Sequence, residues 1–408
     1  MKSQIPNPKS QIAVVGAGPA GTSLAIRLAK KNYKVILIER EQFPRPKLCG
    51  EFISPECLRH FRQLDVETEM LAAGGERIAE TVFYALNGKS VNVPSKWFNK
   101  SESGALSLSR SEMDFRLLEK AKDFGVEVLE QCSVVGLSGE KDTVSGLKIR
   151  EKDGDAKEIF ADLFVDATGR ARVLGKMAEK QFHHRDTGET QKSQILNPKS
   201  QIPNRLIGFK THLKNARLEK GQCEIYFFRN GYGGLSHVEN GLANFCFLVK
   251  AETVKEFSGD INKIIEQVIF RNERAQSALN NAVPVHDWLA VSVDGFGRKN
   301  LNPAPNLFAV GDAGAFIDPF TGSGMLMAFE SAEILAGAIA GNSSAEAIAE
   351  TYKTQHARKF GRRLFLCSLM RRAAFAPTIA GNLISLLSIS DLPRKILARA
   401  TRRREVNG

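Results

Sequence analysis

Three short apolar runs along this chain end in glycine-rich turns, and each reads as a buried strand. The first, Ile12–Val15, runs into Gly16-Ala17-Gly18-Pro19-Ala20-Gly21, after which Ala25, Leu28 and Ala29 follow a helical period. The second, Leu163–Val165, ends in Asp166-Ala167-Thr168-Gly169-Arg170; the third, Leu307–Val310, ends in Gly311-Asp312-Ala313-Gly314. Beyond Phe316-Ile317-Asp318-Pro319, the cluster Gly322-Ser323-Gly324 opens a helix pattern from Met325 to about Ala340. Another strand, Lys34–Ile38, ends at Glu39. The period changes to two between 205 and 250, as in Cys223–Phe228 and Leu242–Val249, which predicts antiparallel strands with one buried face. From Tyr352 onward the chain reads as helical, with Phe360, Leu364, Phe365 and Leu369 set among arginines.

The three glycine motifs lie far apart, so the α/β domain they build is expected to be discontinuous, assembled from residues 11–75, 106–177 and 291–345. Residues 76–105 and 205–290 are expected to form an inserted antiparallel-sheet substrate domain, and 346–408 a basic helical C-terminal region. Residues 2–12, KSQIPNPKSQI, recur as KSQILNPKSQI at 192–202. The repeat has almost no apolar period, so 178–204 reads as a low-complexity insertion with no catalytic role.

The order strand, glycine turn, helix, strand and acid is what dinucleotide binding requires. Gly16 allows the tight turn, Gly18 lets backbone approach a pyrophosphate, and Gly21 lets the helix pack on the sheet. Free N–H groups at the helix start then face phosphate, and Glu39, 18 residues beyond Gly21, is placed to accept from a ribose hydroxyl. This fingerprint leaves FAD and NAD open; the second cluster decides for FAD. Asp312 is suited to hold ribityl or ribose hydroxyls, and Gly322 and Gly324 let backbone lie against a flat ring.

On these ordered motifs the chain resembles the aromatic-hydroxylase-type FAD oxidoreductases, in their geranylgeranyl reductase-like and flavin-dependent halogenase-like branch. The resemblance implies an FAD-binding Rossmann-like domain of the GR2 or aromatic hydroxylase type. It implies that Glu39 binds the adenosine ribose, Asp312 the ribityl and pyrophosphate region, and the Gly324-Met325 backbone the pyrimidine edge of the isoalloxazine. Arg110, in Leu108-Ser109-Arg110, matches an arginine near the FAD phosphates. Pro19, Ala20, Arg40, Asp166, Gly169, Gly311, Pro319 and Gly322 complete the expected cofactor contacts.

The segment Phe43–Glu51 looks like the proline and Cys-Gly element that passes the flavin in geranylgeranyl reductases, which puts Cys49 and Gly50 at the cavity. Gly231–His237 occupies the position of the substrate-side aromatic segment. Cys49, Tyr232 and His237 are therefore the candidate catalytic residues. Thr168 stands where the hydroxylases carry a central Asp. The only tryptophans are Trp97 and Trp288, so the paired tryptophans of the halogenases are absent. Tyr232 followed by Gly234 departs from the reductases' Tyr-x-Trp. With NADPH or NADH as electron donor, the FAD is expected to reduce an isoprenoid, polyketide or other hydrophobic small molecule. The alternative is a flavin monooxygenase that captures dioxygen to hydroxylate or epoxidise it.

Composition then sets limits. A chain of 408 residues with 43% hydrophobic content suits two substantial cores. Of the net charge of +12, residues 351–408 carry +11, with 13 Lys and Arg against Asp391 and Glu405. That tail suits docking on the body, a cofactor phosphate, an acidic partner or peripheral contact with an anionic membrane. Nucleic acid is not expected, because no aromatic platform or zinc-ligand spacing accompanies the charge. Six scattered cysteines without a CxxC pair predict neither a disulfide framework nor a metal centre. With no signal-peptide pattern and no uninterrupted spanning stretch, the expectation is a cytoplasmic protein, or one peripheral on the inner face of the membrane. The oligomeric state is left open.

Overall fold

Strand Lys9–Val15 lies at the centre of a five-stranded parallel sheet, in the order Leu307–Ala309, Leu163–Asp166, Lys9–Val15, Tyr33–Ile38, Glu127–Leu129. In the computed structural model, residues 9–98, 104–152, 154–182, 205–375, 381, 384–388 and 390–400 are described. Alternate residues of the central strands enter different cores. Ile12, Val14, Leu37 and Val165 pack with the helices Pro19–Ala29 and Gly324–Gly341 on one face. Ala13, Val15, Ile36 and Phe164 pack on the other with helix Val173–Phe182 and a small antiparallel sheet over residues 132–160. Burial of both faces explains why these strands are continuously apolar rather than alternating.

The most apolar long helix, Gly324–Gly341, has a mean hydropathy of 1.3 and is 61% buried. It packs between Pro19–Ala29 and the long helix Ala345–Ala374. Glu330 is buried in it, satisfied by Lys359 at 2.9 Å and Arg363 at 2.8 Å.

Above the parallel sheet stands an eight-stranded sheet. Its path runs Val283–Pro284, Leu206–Lys214, Ala243–Lys250, Gly231–His237, Gln222–Phe228, Glu80–Tyr84, Ser90–Pro94. Leu289–Val293 also pairs with Leu206–Lys214, so this sheet continues past residue 290. Its pairings are antiparallel except that between Gln222–Phe228 and Glu80–Tyr84, which is parallel. One face carries Phe209, Tyr226, Phe228, Leu235, Phe245 and Phe247, closed by helices Ile261–Gln267 and Glu273–Leu279. The opposite face turns toward the glycine motifs.

Helix Val173–Phe182 buries Ala178 and Phe182, so no insertion begins at 178. Its remainder, residues 183–204 with the second copy of the repeat, lies outside the described residues. At the other end, Phe375, Ile384 and Leu387 pack onto the inner face of the large sheet. Helix Asp391–Ala400 runs beside its edge strand, where Arg394 donates to Asn92 Oδ1 at 2.7 Å and lies over the Trp97 ring.

Candidate functional site

The first glycine turn is built by contacts that admit no side chain. Gly16 has φ of 103°, and a Cβ there would stand 2.5 Å from the Ala167 carbonyl oxygen. At Gly21 a Cβ would fall 1.9 Å from Gly16 O, so the helix start is pressed onto the turn. Gly18 is different: the nearest atom to its missing Cβ is Arg110 Nη2 at 3.8 Å, which leaves room in front of the helix N-terminus for an anion. Pro19 and Ala20 form the first turn of that helix. Glu39 folds back on the loop, accepting from Ala17 N at 2.9 Å and Glu41 N at 3.1 Å.

A chain of buried charges links this turn to the next layer. Arg110 clamps Asp114 with bonds of 2.8 and 2.6 Å, and Arg45 reaches Asp114 at 3.2 Å and Glu39 at 3.7 Å. Burial alone would lower the Arg110 pKa, but the charge and hydrogen bonds of Asp114, with Cys49 adding, raise it. Asp312 opens toward the same space. Burial pushes its carboxyl up to about 6, against Arg170, Arg110 and Lys47. Gly311 supports it at φ of 60°, with helix Pro19–Ala29 so close that a Cβ would meet Ala20 Cβ at 2.8 Å. Gly324 opens its helix with free space beside it, Met325 is buried behind it, and Gly322 ends the short turn Pro319–Thr321 against Phe52.

The large sheet roofs this cradle and carries a polar centre. Glu51, buried and at φ of 55°, accepts from Lys210 Nζ at 2.5 Å, His212 Nε2 at 2.7 Å and Arg110 N at 2.8 Å. Burial raises its pKa, but His212 and Lys210 outweigh this and hold it below the ordinary value. Because the carboxylate can only accept, His212 Nε2 must carry the hydrogen of that bond. The Cys49 carbonyl accepts from Asn244 Nδ2 at 3.3 Å, while Cys49 Sγ lies 3.4 Å from Glu51 N. Gly50 has open space beside it.

Farther along the same face, Phe83, Phe227, Tyr232 and Phe320 meet with ring centroids 5.2 to 6.4 Å apart, and Phe375 stands 5.6 Å from Tyr232. The Tyr232 hydroxyl donates to Asp318 Oδ1 at 3.0 Å.

Three expected residues sit differently. His237 is five positions from Tyr232 on one strand, and an odd separation puts it on the opposite face. There it contacts the Leu218 carbonyl at 3.1 Å, on the face opposite the aromatic wall. Asp166 spends both oxygens within its own turn, on Thr168 and on Gly175 N, so it holds the loop at Gly169 in place. Arg40 is 64% exposed and pairs with Glu41 at 3.1 Å.

The FAD binding domain family model matches residues 9–364. The chain belongs to that family. It is 26% identical over 389 residues to digeranylgeranylglycerophospholipid reductase 1 of Methanococcoides burtonii, covering 93% of this chain and 84% of the relative. To the flavin-dependent halogenase armH3 of Armillaria mellea it is 24% identical, covering 90% and 75%. The fold matches the flavin-dependent brominase Bmp2 with a TM-score of 0.76 at 18% identity, covering 97% and 95%. The cofactor is FAD, and the protein is a flavin-dependent oxidoreductase.

The cradle fits FAD. Gly18 leaves space at a helix N-terminus beside Arg110, and no described residue donates a hydrogen bond to Asp312, whose carboxylate would be free to accept from ribityl hydroxyls. A bond to a charged group contributes roughly 1.5–3 kcal/mol, so Asp312→Asn is expected to raise the Kd for FAD about ten- to a hundredfold. The apoprotein should respond the other way. A carboxyl raised from 3.8 to about 6 favours folding below 3.8 and loses that contribution as pH climbs toward 6. Apo Asp312→Asn should therefore melt higher than wild-type apoprotein at pH 7, measured by thermal unfolding after flavin removal.

Proposed function

We propose that the enzyme is an NAD(P)H-dependent flavin monooxygenase that hydroxylates or epoxidises an isoprenoid, polyketide or other hydrophobic small molecule held against the aromatic wall. The carrying observation is that the roof's proton carriers are held fast, Lys210 and His212 by their bonds to Glu51. Hydride addition to a carbon–carbon double bond requires a proton for the second carbon. Glu51 is held ionised. Burial, with Cys49 and Glu51 adding to it against Lys210, pushes the Cys246 thiol up to about 12. Burial and Asp318 raise the Tyr232 hydroxyl well above its ordinary range. Oxygen insertion puts no proton on a substrate carbon; the proton it consumes leaves with the second oxygen atom as water, and the step needs dry apolar surroundings, of the kind Phe83, Phe227, Phe320 and Phe375 provide.

Reduction is the second reading, favoured by the way Asn244 and Glu51 pin Cys49 beside Arg110. Anaerobic reduction with NADH and NADPH, followed by oxygen and a substrate panel, separates the two. Substrate-dependent oxygen uptake with a product heavier by one oxygen atom is expected. A product gaining two hydrogens without oxygen uptake would transfer the assignment to the reductases.

Within the same proposal we place the protein in the cytoplasm, at the inner face of an anionic membrane. Phe365, Leu386, Leu392 and Ile396 are exposed amid the basic C-terminal region, in the pattern of an interfacial helix. Leu392→Ser/Ile396→Ser should lose co-sedimentation with phosphatidylglycerol vesicles; unchanged sedimentation would remove the membrane from the reading.

A further inference from the structure

On the outer side of the loop that carries Asp312, strand Gly297–Arg298 pairs with Ala315–Phe316. The residues after it face helix Ala345–Ala374 across a cleft of about 300 Å³. Its lining is Arg298, Lys299, Asn300, Leu301, Lys353, His356 and Ala357, which includes three cations and no carboxylate. None of the three cations forms an ion pair with a described residue. Elsewhere on the surface Lys30, Arg62, Lys122, Lys157 and Arg229 each hold a carboxylate, while here three cations share one cleft without an acid in its lining.

The floor of the cleft is His356, 2% exposed, its ring wedged between Tyr352 and Phe360 with centroids 5.7 and 4.6 Å away. Its imidazole has no hydrogen-bond partner among the described residues, although it lines the opening. The ring nitrogens are not among the fully buried unpartnered atoms, so they are reachable from the opening. Burial, with the charge of Arg298, lowers its pKa to about 4, so at neutral pH the ring is uncharged, with one N–H to donate and one nitrogen free.

We propose that this cleft is a binding site for a phosphomonoester, with Arg298, Lys299 and Lys353 neutralising the dianion and the His356 N–H donating to it. One guanidinium and two ammonium groups line a single cleft, and together they supply the charge and donors that a doubly charged group needs. The cleft, of about 300 Å³, has room beside a phosphate for an organic stem. The 2′-phosphate of a nicotinamide dinucleotide and a phosphatidate headgroup share this chemistry. The cleft is separate from the flavin cradle, so this inference does not depend on oxygenase or reductase activity.

The test uses enzyme saturated with FAD, so that the flavin's own phosphate contacts are filled. Inorganic phosphate is titrated by calorimetry while the histidine ring nitrogens are followed by NMR. The wild type is expected to bind phosphate with a shift of the His356 resonances. Arg298→Ala/Lys353→Ala should lose about tenfold or more in affinity and lose the shift; both side chains are exposed or nearly so, and FAD content reports that the fold is kept. A control, Lys89→Ala/Lys220→Ala, removes the same charge elsewhere and should bind as wild type. Phosphate affinity equal in the two double variants, or no binding by wild type, overturns the site. Parallel titrations with NADP+ against NAD+, and with phosphatidylcholine vesicles with or without phosphatidate, identify the source. Preference for NADP+ assigns the dinucleotide and preference for phosphatidate the lipid, while binding of inorganic phosphate with preference for neither overturns the organic ester.

Discussion

Glu51→Gln is expected to destabilise the folded protein by about 3–5 kcal/mol, the cost of leaving one partner of a buried ion pair unmatched. Glu51 has no exposed surface and Lys210 is 2% exposed, so neither charge can recover hydration by a small movement. The neutral amide keeps the shape of the side chain and can still accept from Lys210 and from Arg110 N. What it loses is the charge that holds the ammonium in place. The same residue sits at φ of 55°, a conformation that costs of order 1–3 kcal/mol in a non-glycine residue and persists only where surrounding bonds enforce it.

Two further measurements make this prediction specific. Glu51→Gln/Lys210→Met should regain most of the lost stability, because it removes both charges together. If the double variant is as unstable as the two single losses added, the pair is not the cause. The pH profile provides the sign. A carboxylate with a depressed folded pKa contributes stability fully above its unfolded value of 4.5, and loses it as pH falls through the lower folded value. Wild type should therefore show an acid limb that is flattened in Glu51→Gln. Denaturant unfolding of the flavin-loaded proteins reads all three effects.

The cofactor cradle was legible in the chain because its demands are local. Gly16, Gly18 and Gly21 are required by backbone contacts within a few residues of each other, and Glu39 by the length of one helix and one strand. Tyr232 lies on the inner face of the sheet, beside Phe320 and bonded to Asp318. His237 does not share Tyr232's face, because residues five apart on one strand point to opposite sides, and that spacing is present in the sequence.

The same periodicity held the missed signal. Lys210 and His212, two apart in the strand Leu206–Lys214, put two polar groups on the inner face of an otherwise apolar element. Their partner could not be read. Glu51 lies 159 residues from Lys210, and only the closing of the roof over the cradle brings them together. Arg45 escaped for the same reason, since it gains its role by reaching Asp114 from 69 residues away. The unpaired cations of Arg298 and Lys353 look like ordinary surface charge until the fold shows which acids they do not meet.

Arg110→Met should lose FAD while the apoprotein stays folded, and that separation follows from the geometry around Asp114. Asp114 is fully buried, but it has two cations; with Arg110 removed, Arg45 Nη1 remains at 3.2 Å. The substitution therefore differs from Glu51→Gln, because no buried charge is left alone, and a stability loss of about 1–3 kcal/mol is expected from the lost hydrogen bonds. Flavin binding has no such reserve. Arg110 Nη2 is the group nearest to the open side of Gly18, and phosphate bound there would lose its charge-assisted donor. The Kd for FAD should rise about a hundredfold, or roughly 2.7 kcal/mol. Arg110→Lys should recover part of this, since an ammonium keeps the charge but cannot clamp Asp114 with two parallel bonds. Arg40→Ala, at an exposed side chain paired with Glu41, should leave the Kd unchanged. Flavin fluorescence titration of the three apoproteins decides the matter. Equal Kd values for Arg110→Met and wild type would remove Arg110 from the phosphate site, and a hundredfold loss in Arg40→Ala would put the phosphate on the other side of Glu39.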